Sequence, residues 1–141
     1  MEIDKQSDSG IAFRLDPASG VPPYHQLVRQ VEDALRLGYL APGDQLPKVK
    51  DVVASLAINP NTVLKAYREL EHKGLAAGRP GQGTFVEGRL NVAPLRDLHD
   101  LRRKLVNWLS DAEAAGLDDE SITALISSAR YDLRSSKRMT S

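Results

Sequence analysis

Apolar residues recur along the chain with two different periods, and these periods predict a mainly α-helical protein with one small β-hairpin. Helical spacing covers 24–38, 48–56 and 60–73, and a glycine follows the first and third of these runs. The segment 11–16 alternates apolar and polar residues, which predicts a short strand in an N-terminal arm. The opening ten residues are polar and are expected to be frayed.

The third predicted helix has clear start and stop signals. Asn59 is a favourable N-cap, Pro60 suits the first helical position, and Gly74 follows the last turn. Only the residues 57–59 separate this helix from the one before it. That spacing is typical of a helix-turn-helix, in which the second helix is presented to a groove.

Helical geometry assigns two faces to the third helix. Its apolar positions form one stripe, which predicts that Asn61, Lys65 and Arg68 lie on the opposite side. An asparagine carries the fork that pairs with adenine in the major groove, and Thr62 in the first turn is suited to a phosphate or a thymine methyl. Seen alone, a polar outer face is more often only solvated, so the surrounding elements decide between the two interpretations.

A hairpin is predicted next, with strands at 75–77 and 84–86 joined by 78–83. Three helices followed by a hairpin are the order of a winged helix-turn-helix. The glycines Gly81 and Gly83 lack the spacing of a phosphate-binding loop, but small residues at a wing tip allow the backbone to approach a sugar-phosphate strand. Arg79 beside them is suited to the minor groove.

Composition limits the classes of function that the chain can have. The 141 residues include 41% apolar and 27% charged residues, no cysteine and no net charge. We expect no cofactor, no metal site, no membrane segment and a cytoplasmic location. The three histidines lie in different predicted elements without a catalytic motif, so an enzyme is not expected. The acidic run 118–120 is best explained as a helix N-terminus.

Charge within the predicted module is nearly balanced. From Tyr24 to Glu87 eight Lys or Arg residues stand against seven acids. We therefore expect the charge to be sorted by face, with Lys48, Lys50 and Lys65 directed toward DNA together with Arg79.

One long run of the chain resembles the DNA-binding domain of GntR-family bacterial transcription regulators. It reads PYHQLVRQVEDALRLGYLAPGDQLPKVKDVVASLAINPNTVLKAYRELEHKGLAAGRPGQGTFV, from Pro23 to Val86. The specific motifs are P-Y-x-Q-L, L-x-P-G-D-x-L-P, N-P-N-T-V-x-K-A-Y-x-E-L-E-x-x-G-L and G-x-G-T-F-V. The resemblance implies a sequence-specific DNA-binding regulator.

The resemblance also implies which positions meet DNA. By similarity they are Lys48 and Lys50 at the second helix, Asn59, Asn61, Thr62 and Lys65 at the groove, and Gly81 and Gly83 at the wing. Family members often carry Ser-x-Arg where this chain has Lys48-Val49-Lys50, so a hydroxyl cap and a forked guanidinium are missing. Leu64 stands where some relatives place arginine.

The remaining residues predict two amphipathic helices that cannot bury their apolar faces alone. A short two-helix tail resembles the YtrA-like subfamily of GntR regulators, where it serves dimerisation and where members are often linked to transporter operons. A tail packed on its own domain is the alternative. The candidate dimer residues are Leu98, Leu101, Leu105, Trp108, Leu109, Ile122, Leu125, Ile126 and Ala129.

The predicted organisation has five parts: a 1–22 arm with a short strand, a 23–87 winged helix-turn-helix, an 88–94 linker, a 95–135 helical dimerisation domain and a 136–141 disordered tail. These parts predict a homodimeric repressor on a palindromic operator. The alternative is a winged-helix module that binds protein and no longer reads DNA. An effector, if one acts, would bind between module and tail or at the dimer interface, and no residue cluster marks such a site.

Overall fold

The computed structural model describes residues 10–90 and 93–140, and the chain divides after Leu95 into two compact units. The first unit has the order α1, α2, α3, β1, β2, and the helices α4 and α5 follow. The bounds are α1 Pro23–Arg36, α2 Val49–Leu56, α3 Pro60–His72, β1 Ala76–Arg79, β2 Gly83–Val86, α4 Leu95–Ala114 and α5 Asp119–Thr140. This architecture confirms the predicted fold class: mainly α with a small β-hairpin, a winged helix-turn-helix followed by a two-helix C-terminal tail.

The core of the first unit lies where α1 packs against α3. Each of the largest fully buried side chains in this core stabilises the folded state by about 1.5–3 kcal/mol. They are Leu27, Val28, Val31, Leu35, Leu46, Val52, Val63, Leu70 and Val86. The predicted buried stripe of α3, namely Val63, Ala66, Tyr67 and Leu70, is confirmed.

The helix ends follow the predicted capping chemistry. The side-chain oxygen of Asn59 accepts a hydrogen bond from the Asn61 backbone N–H at 2.8 Å, which satisfies one of the free donors at the start of α3. Gly38 has φ of 76° after α1, and the Tyr39 N–H donates to the Ala34 carbonyl at 2.8 Å. That pattern is a Schellman cap, and it needs the left-handed conformation that glycine adopts without strain.

The turn between α2 and α3 contains a feature that the sequence pattern did not indicate. Ala57 has φ of 54°. Among the residues that the structure describes, it is the only one other than glycine with a positive φ. Its N–H caps α2 by donating to the Val53 carbonyl at 2.8 Å. An alanine in this conformation carries strain of about 1–2 kcal/mol, so the packing of the two helices holds the turn in place.

The wing is an antiparallel hairpin in which Ala76 faces Val86 and Arg79 faces Gly83. Its connection is shorter than predicted, because the strands extend inward and leave only 80–82 as the turn. The stretch before α2, which was expected to be only a turn, runs beside β2 and forms hydrogen bonds with its backbone. Leu46 N–H donates to the Thr84 carbonyl and Val86 N–H donates to the Asp44 carbonyl, both at 2.8 Å.

The predicted strand at 11–16 is wrong, although its alternation is real. Phe13 is buried in the core as an inward-facing strand residue would be, yet no neighbouring strand pairs with this segment. Side chains of α1 replace that strand. The Gln30 amide exchanges two hydrogen bonds with the backbone of Arg14, at 3.0 and 2.7 Å, and Gln26 does the same with Asp16, at 2.8 and 3.1 Å.

One other expectation about the chain is corrected. Residues 136–140, expected to be disordered, continue α5, since no glycine or proline interrupts it and Lys137 and Arg138 suit the negative end of the helix dipole. Within the 88–94 linker, Leu90 packs against the core, while 91–92 lie outside the described residues, as do 1–9 of the arm. No helix in the described ranges is long and apolar enough to cross a membrane.

Replacing the strained turn residue tests this account of the helix-turn-helix. We expect Ala57→Gly to raise the free energy of unfolding by up to about 1 kcal/mol, because glycine adopts positive φ without strain. The matched control is Ala54→Gly inside α2, which should lower it by about 1 kcal/mol. Urea denaturation followed by circular dichroism measures both free energies of unfolding. Equal destabilisation by the two variants would contradict the claim that Ala57 is strained.

Candidate nucleic-acid interface

The outward face of α3 presents polar and cationic side chains to solvent. Asn61, Lys65 and Arg68 are exposed on the side opposite the buried stripe, and Thr62 is partly exposed at its flank. The helix is therefore seated by its apolar face and leaves its donor face uncovered. That is the arrangement by which a helix enters a major groove.

Asn59 has a more limited role than the sequence indicated. Its side-chain oxygen is already committed to the cap of α3, at 2.8 Å from the Asn61 nitrogen. Only the NH₂ group of its amide is left to reach outward. Asn59 can therefore donate to a phosphate, whereas the full fork needed for a base edge remains with Asn61.

Lys65 is positioned by an aromatic ring from α1. Its Nζ lies 4.0 Å from the centroid of the Tyr24 ring, within cation–π range, while the side chain as a whole stays exposed. Tyr24 was missed as a contributor to this surface. Helical spacing within α3 cannot reveal it, because the contact joins two helices that are distant in sequence.

A groove of about 630 Å³ lies between the start of α2 and the wing. Four of the predicted DNA residues line it: Lys48, Arg79, Gly81 and Gly83. The structure thus brings the start of α2 and the wing together. The other predicted DNA residues are not among the lining residues of the groove: Lys50, Asn59, Asn61, Thr62, Lys65 and Arg68.

The wing tip is a tight turn that needs its glycine. Gln82 N–H donates to the Arg79 carbonyl at 2.9 Å, with Pro80 and Gly81 between them. Gly81 has φ of 75°, as the third residue of a type II turn requires. The turn exposes backbone at the point where the wing would approach a sugar-phosphate strand.

Two polar side chains outside the predicted set hold the wing. The Gln45 amide donates to the Gln82 carbonyl at 2.9 Å, and a Cβ at Gly83 would lie 2.6 Å from the same Gln45 nitrogen. Glu71, near the end of α3, accepts from the Gly78 N–H at 2.8 Å. These contacts join elements far apart in sequence, so no local pattern indicated them.

The arginine of the wing is oriented in a similar way to Lys65. The Cζ atom of Arg79 lies 4.1 Å from the centroid of the Phe85 ring. Stacking on this ring holds the planar guanidinium at the wing while leaving it solvent-exposed.

Tyr67 of α3 lines the groove and connects α3 to the segment before α2. Its hydroxyl donates to the buried Pro47 carbonyl, which lies directly before the N-cap of α2. Burial raises the pKa of Tyr67 above its ordinary value, because the phenolate would lose its hydration. The buried hydroxyl is therefore a neutral donor at physiological pH.

Charge on this surface is unneutralised. Across residues 10–90, the cations Lys48, Lys50, Lys65, Arg68 and Arg79 form no ion pair with a carboxylate. Lys73, by contrast, pairs with Glu32 at 2.9 Å. These five cations are therefore available to phosphates without first breaking an ion pair.

Within residues 10–90 and 93–140, no group of three or more His, Asp or Glu side chains is arranged to hold a metal ion.

The predicted dimer residues differ in exposure. Ile122 is buried, as is Ala112 on the other side of the turn, so Ile122 contributes to the core of the tail itself. Leu98, Leu109 and Ile126 are partly exposed. The rest remain open to solvent, namely Leu101, Leu105, Trp108, Leu125 and Ala129.

The chain is similar to known proteins. The family model described as "Bacterial regulatory proteins, gntR family" matches residues 23–86. The HTH-type transcriptional repressor YtrA of Bacillus subtilis is 30% identical over 127 residues, which cover 89% of this chain and 98% of that protein. The HTH-type transcriptional regulator Rv1152 of Mycobacterium tuberculosis is 44% identical over 74 residues, covering 52% of this chain and 61% of its own.

A solved structure resembles the chain as well. A transcriptional antiterminator from Listeria monocytogenes has a TM-score of 0.55 and 27% sequence identity, covering 87% of this chain and 92% of its own. The likeness therefore extends over the tail and is not limited to the winged module.

Removing one hydroxyl tests the role of Tyr67. We expect Tyr67→Phe to lower the free energy of unfolding by about 1–2 kcal/mol, because the Pro47 carbonyl loses its donor. The folded-state pKa is raised, so the stability from burying the neutral phenol is full below about pH 10 and is lost as pH rises further. Wild type should therefore lose stability above pH 10 more steeply than Tyr67→Phe. The control is Tyr131→Phe, since Tyr131 is 72% exposed; equal effects of the two variants in urea denaturation would contradict this role.

Proposed function

Because the chain belongs to the GntR family of bacterial transcription regulators and is a DNA-binding regulator, we propose that it acts as a homodimeric repressor on a palindromic operator. The observation that supports the proposal is the exposed polar and cationic outward face of α3, together with a groove between the start of α2 and the wing that Lys48 and Arg79 line. The relatives reported above are named as transcriptional regulators, not as enzymes.

The proposed DNA contacts divide into two kinds. Asn61 reads a base edge from the first turn of α3, with Thr62 beside it, and Lys65 extends from the same face. Lys48, Lys50, Asn59 and Arg68 contact phosphates, and these contacts set the position of the helix in the groove. The wing contributes Arg79 to the minor groove, and the backbone at Gly81 and Gly83 allows it to come close.

Dimerisation is proposed from the exposed apolar residues of the tail. Leu101 is 59% exposed and Leu105 is 49% exposed, although both lie on the apolar stripe of α4. Covering such a face with a second copy removes it from water and supplies a second winged module. One module reads too few base pairs for a unique site, and two related by a twofold axis read a palindrome.

Repression by steric exclusion fits this architecture. A dimer on a promoter blocks polymerase without a further domain, so the mechanism does not depend on a small-molecule effector. The relative from Bacillus subtilis is itself named a repressor. We place the protein in the cytoplasm, where the chromosome lies, and propose a transporter operon as the regulated target on the strength of the YtrA-like resemblance.

Substitutions in α3 test the groove assignment. We expect Asn61→Ala to weaken binding to the DNA upstream of the protein's own gene by about 1–3 kcal/mol and to relax base preference at one position. Lys65→Ala should weaken binding across sequences and reduce the slope of log affinity against log salt by about 1 if it neutralises a phosphate. Fluorescence anisotropy over a salt series measures both.

The matched control for these variants is Lys73→Ala, since the Lys73 charge is already paired with Glu32. It should leave DNA affinity nearly unchanged. Tight binding that ignores salt and survives both Asn61→Ala and Lys65→Ala would rule out the groove assignment.

A charge on the tail stripe tests dimerisation. We expect Leu105→Asp to give monomers in sedimentation velocity and weak operator binding, because an aspartate cannot be buried in an apolar interface without a partner. Ser110→Asp adds the same charge to an exposed position of α4 away from the stripe and should leave the dimer intact. A wild-type chain that is monomeric at operator-binding concentrations would contradict the proposal.

A further inference from the structure

A large apolar side chain lies on the exposed side of α3, among residues that are otherwise polar. Leu64 is 40% exposed and is not part of the hydrophobic core of the first unit. It lies three residues after Asn61 and four before Arg68, so it is a neighbour of both on the helix surface. At about 100° per residue it stands about 60° from Asn61 and about 40° from Arg68. A surface that receives Asn61 and Arg68 must therefore cover Leu64 as well.

The two flanks of this face have different neighbours. On one flank, the Nζ of Lys65 lies 4.0 Å from the centroid of the Tyr24 ring of α1. On the other, Glu71 accepts a hydrogen bond from the Gly78 N–H of the wing at 2.8 Å. Leu64 lies about 20° from Glu71 around the helix and about 100° from Lys65. The cationic flank is therefore the one beside α1, and Leu64 is on the flank beside the wing.

The major groove of B-DNA offers one apolar group to such a side chain, the C5 methyl of thymine, because the other groups on the base edges donate or accept hydrogen bonds. A leucine placed over guanine or cytosine covers a polar group without offering it a partner, which costs free energy. Placed over a thymine methyl, the same leucine removes apolar surface of both partners from water. An arginine at this position would instead offer its fork to guanine.

Resting on the groove assignment proposed above, we propose that Leu64 is a specificity-determining residue that packs on the C5 methyl group of a thymine. A rise of about 1.5 Å per residue places Leu64 about 4.5 Å beyond Asn61 along α3, slightly more than the separation of about 3.4 Å between successive bases. The thymine lies, on one strand or the other, within about two base pairs of the adenine that Asn61 reads. Asn61 and Leu64 then select neighbouring positions by two different kinds of contact.

This contact contributes a modest factor to affinity. Burial of one methyl-sized group corresponds to about fourfold in an equilibrium constant. A contact of this size sets the preference at one position, while phosphate contacts supply much of the affinity. Its expected signature is a ratio of affinities between two duplexes, and this ratio does not depend on the overall strength of binding.

Replacing thymine by deoxyuridine tests the contact, because it removes the C5 methyl group and keeps the hydrogen-bonding groups of the base. The probe is a duplex that wild type selects from a random pool, resynthesised with deoxyuridine at one thymine at a time. For wild type we expect a thymine in a half-site whose replacement weakens binding by about fourfold. For Leu64→Ala we expect no loss at that thymine. Fluorescence anisotropy at one salt concentration measures the affinities.

Three variants serve as controls. Leu64→Met keeps a large apolar side chain and should keep the wild-type ratio. Lys65→Ala should bind both duplexes more weakly with the same ratio, because its effect falls on phosphates. Leu37→Ala removes a leucine of nearly equal exposure, 41%, at the C-cap of α1, and should change neither the affinities nor the ratio. Circular dichroism checks that each variant folds, and alanine at position 64 favours the helix.

Selection from the random pool with each variant gives an independent measurement. The sequences that wild type selects should contain thymine at the methyl-sensitive position, whereas Leu64→Ala should accept any base there. Leu64→Arg should favour guanine at or beside that position, because its guanidinium pairs with the O6 and N7 acceptors. Retention of the thymine preference by both variants would overturn the proposal.

Failure of this proposal can be told apart from failure of the groove assignment. If wild type selects no sequence, or if binding ignores salt and survives both Asn61→Ala and Lys65→Ala, the groove assignment is wrong and the Leu64 contact falls with it. If those two variants weaken binding but Leu64→Ala keeps the wild-type deoxyuridine profile, another residue reads the methyl group and only the Leu64 contact is overturned. A wild-type profile without any sensitive thymine overturns it as well.

Discussion

The hydrogen bond from the Tyr67 hydroxyl to the Pro47 carbonyl is the contact on which the geometry of the interface depends. Pro47 stands between Leu46, which pairs with the wing strand, and Lys48, which is the N-cap of α2. One buried bond from α3 therefore positions the wing and the second helix together. Because an unpaired buried carbonyl is costly, the bond holds α2, the wing and α3 to a single relative arrangement.

Glutamine side chains provide the secondary support for this arrangement. Gln26 and Gln30 hold the arm against α1, and Gln45 holds the wing tip. An amide both donates and accepts, so it can satisfy a backbone strand that has no neighbouring strand. The irregular segments of the first unit are thereby fixed without a larger sheet, and the wing keeps its position beside the groove with only two short strands.

The two units differ in how much of their apolar surface they bury. The first buries its stripe internally, with α1 against α3, and leaves a cationic face exposed. The second leaves most of its apolar stripe open to solvent. That open stripe supports the homodimer proposed above, in which a second copy covers it.

Local signals in the sequence determined the helices, their caps and the face of α3. Asn59, Pro60 and the four-residue stripe of α3 needed no tertiary information, because capping and periodicity depend on neighbours within one or two turns. The candidate DNA residues followed from that face and from family motifs. The alternation at 11–16 located a buried residue, Phe13, but could not show that glutamine side chains rather than a strand would bond the backbone of this segment, at Arg14 and Asp16.

The tertiary structure alone decided which distant groups meet. The strained Ala57 turn, the ring of Tyr24 under Lys65, and the Gln45 and Glu71 contacts to the wing all join residues whose partners lie in another element. Such contacts depend on how helices and strands pack, and no periodicity along the chain encodes the partner. The sequence therefore determined the elements and their exposed faces, while packing decided how those faces are held together into one surface.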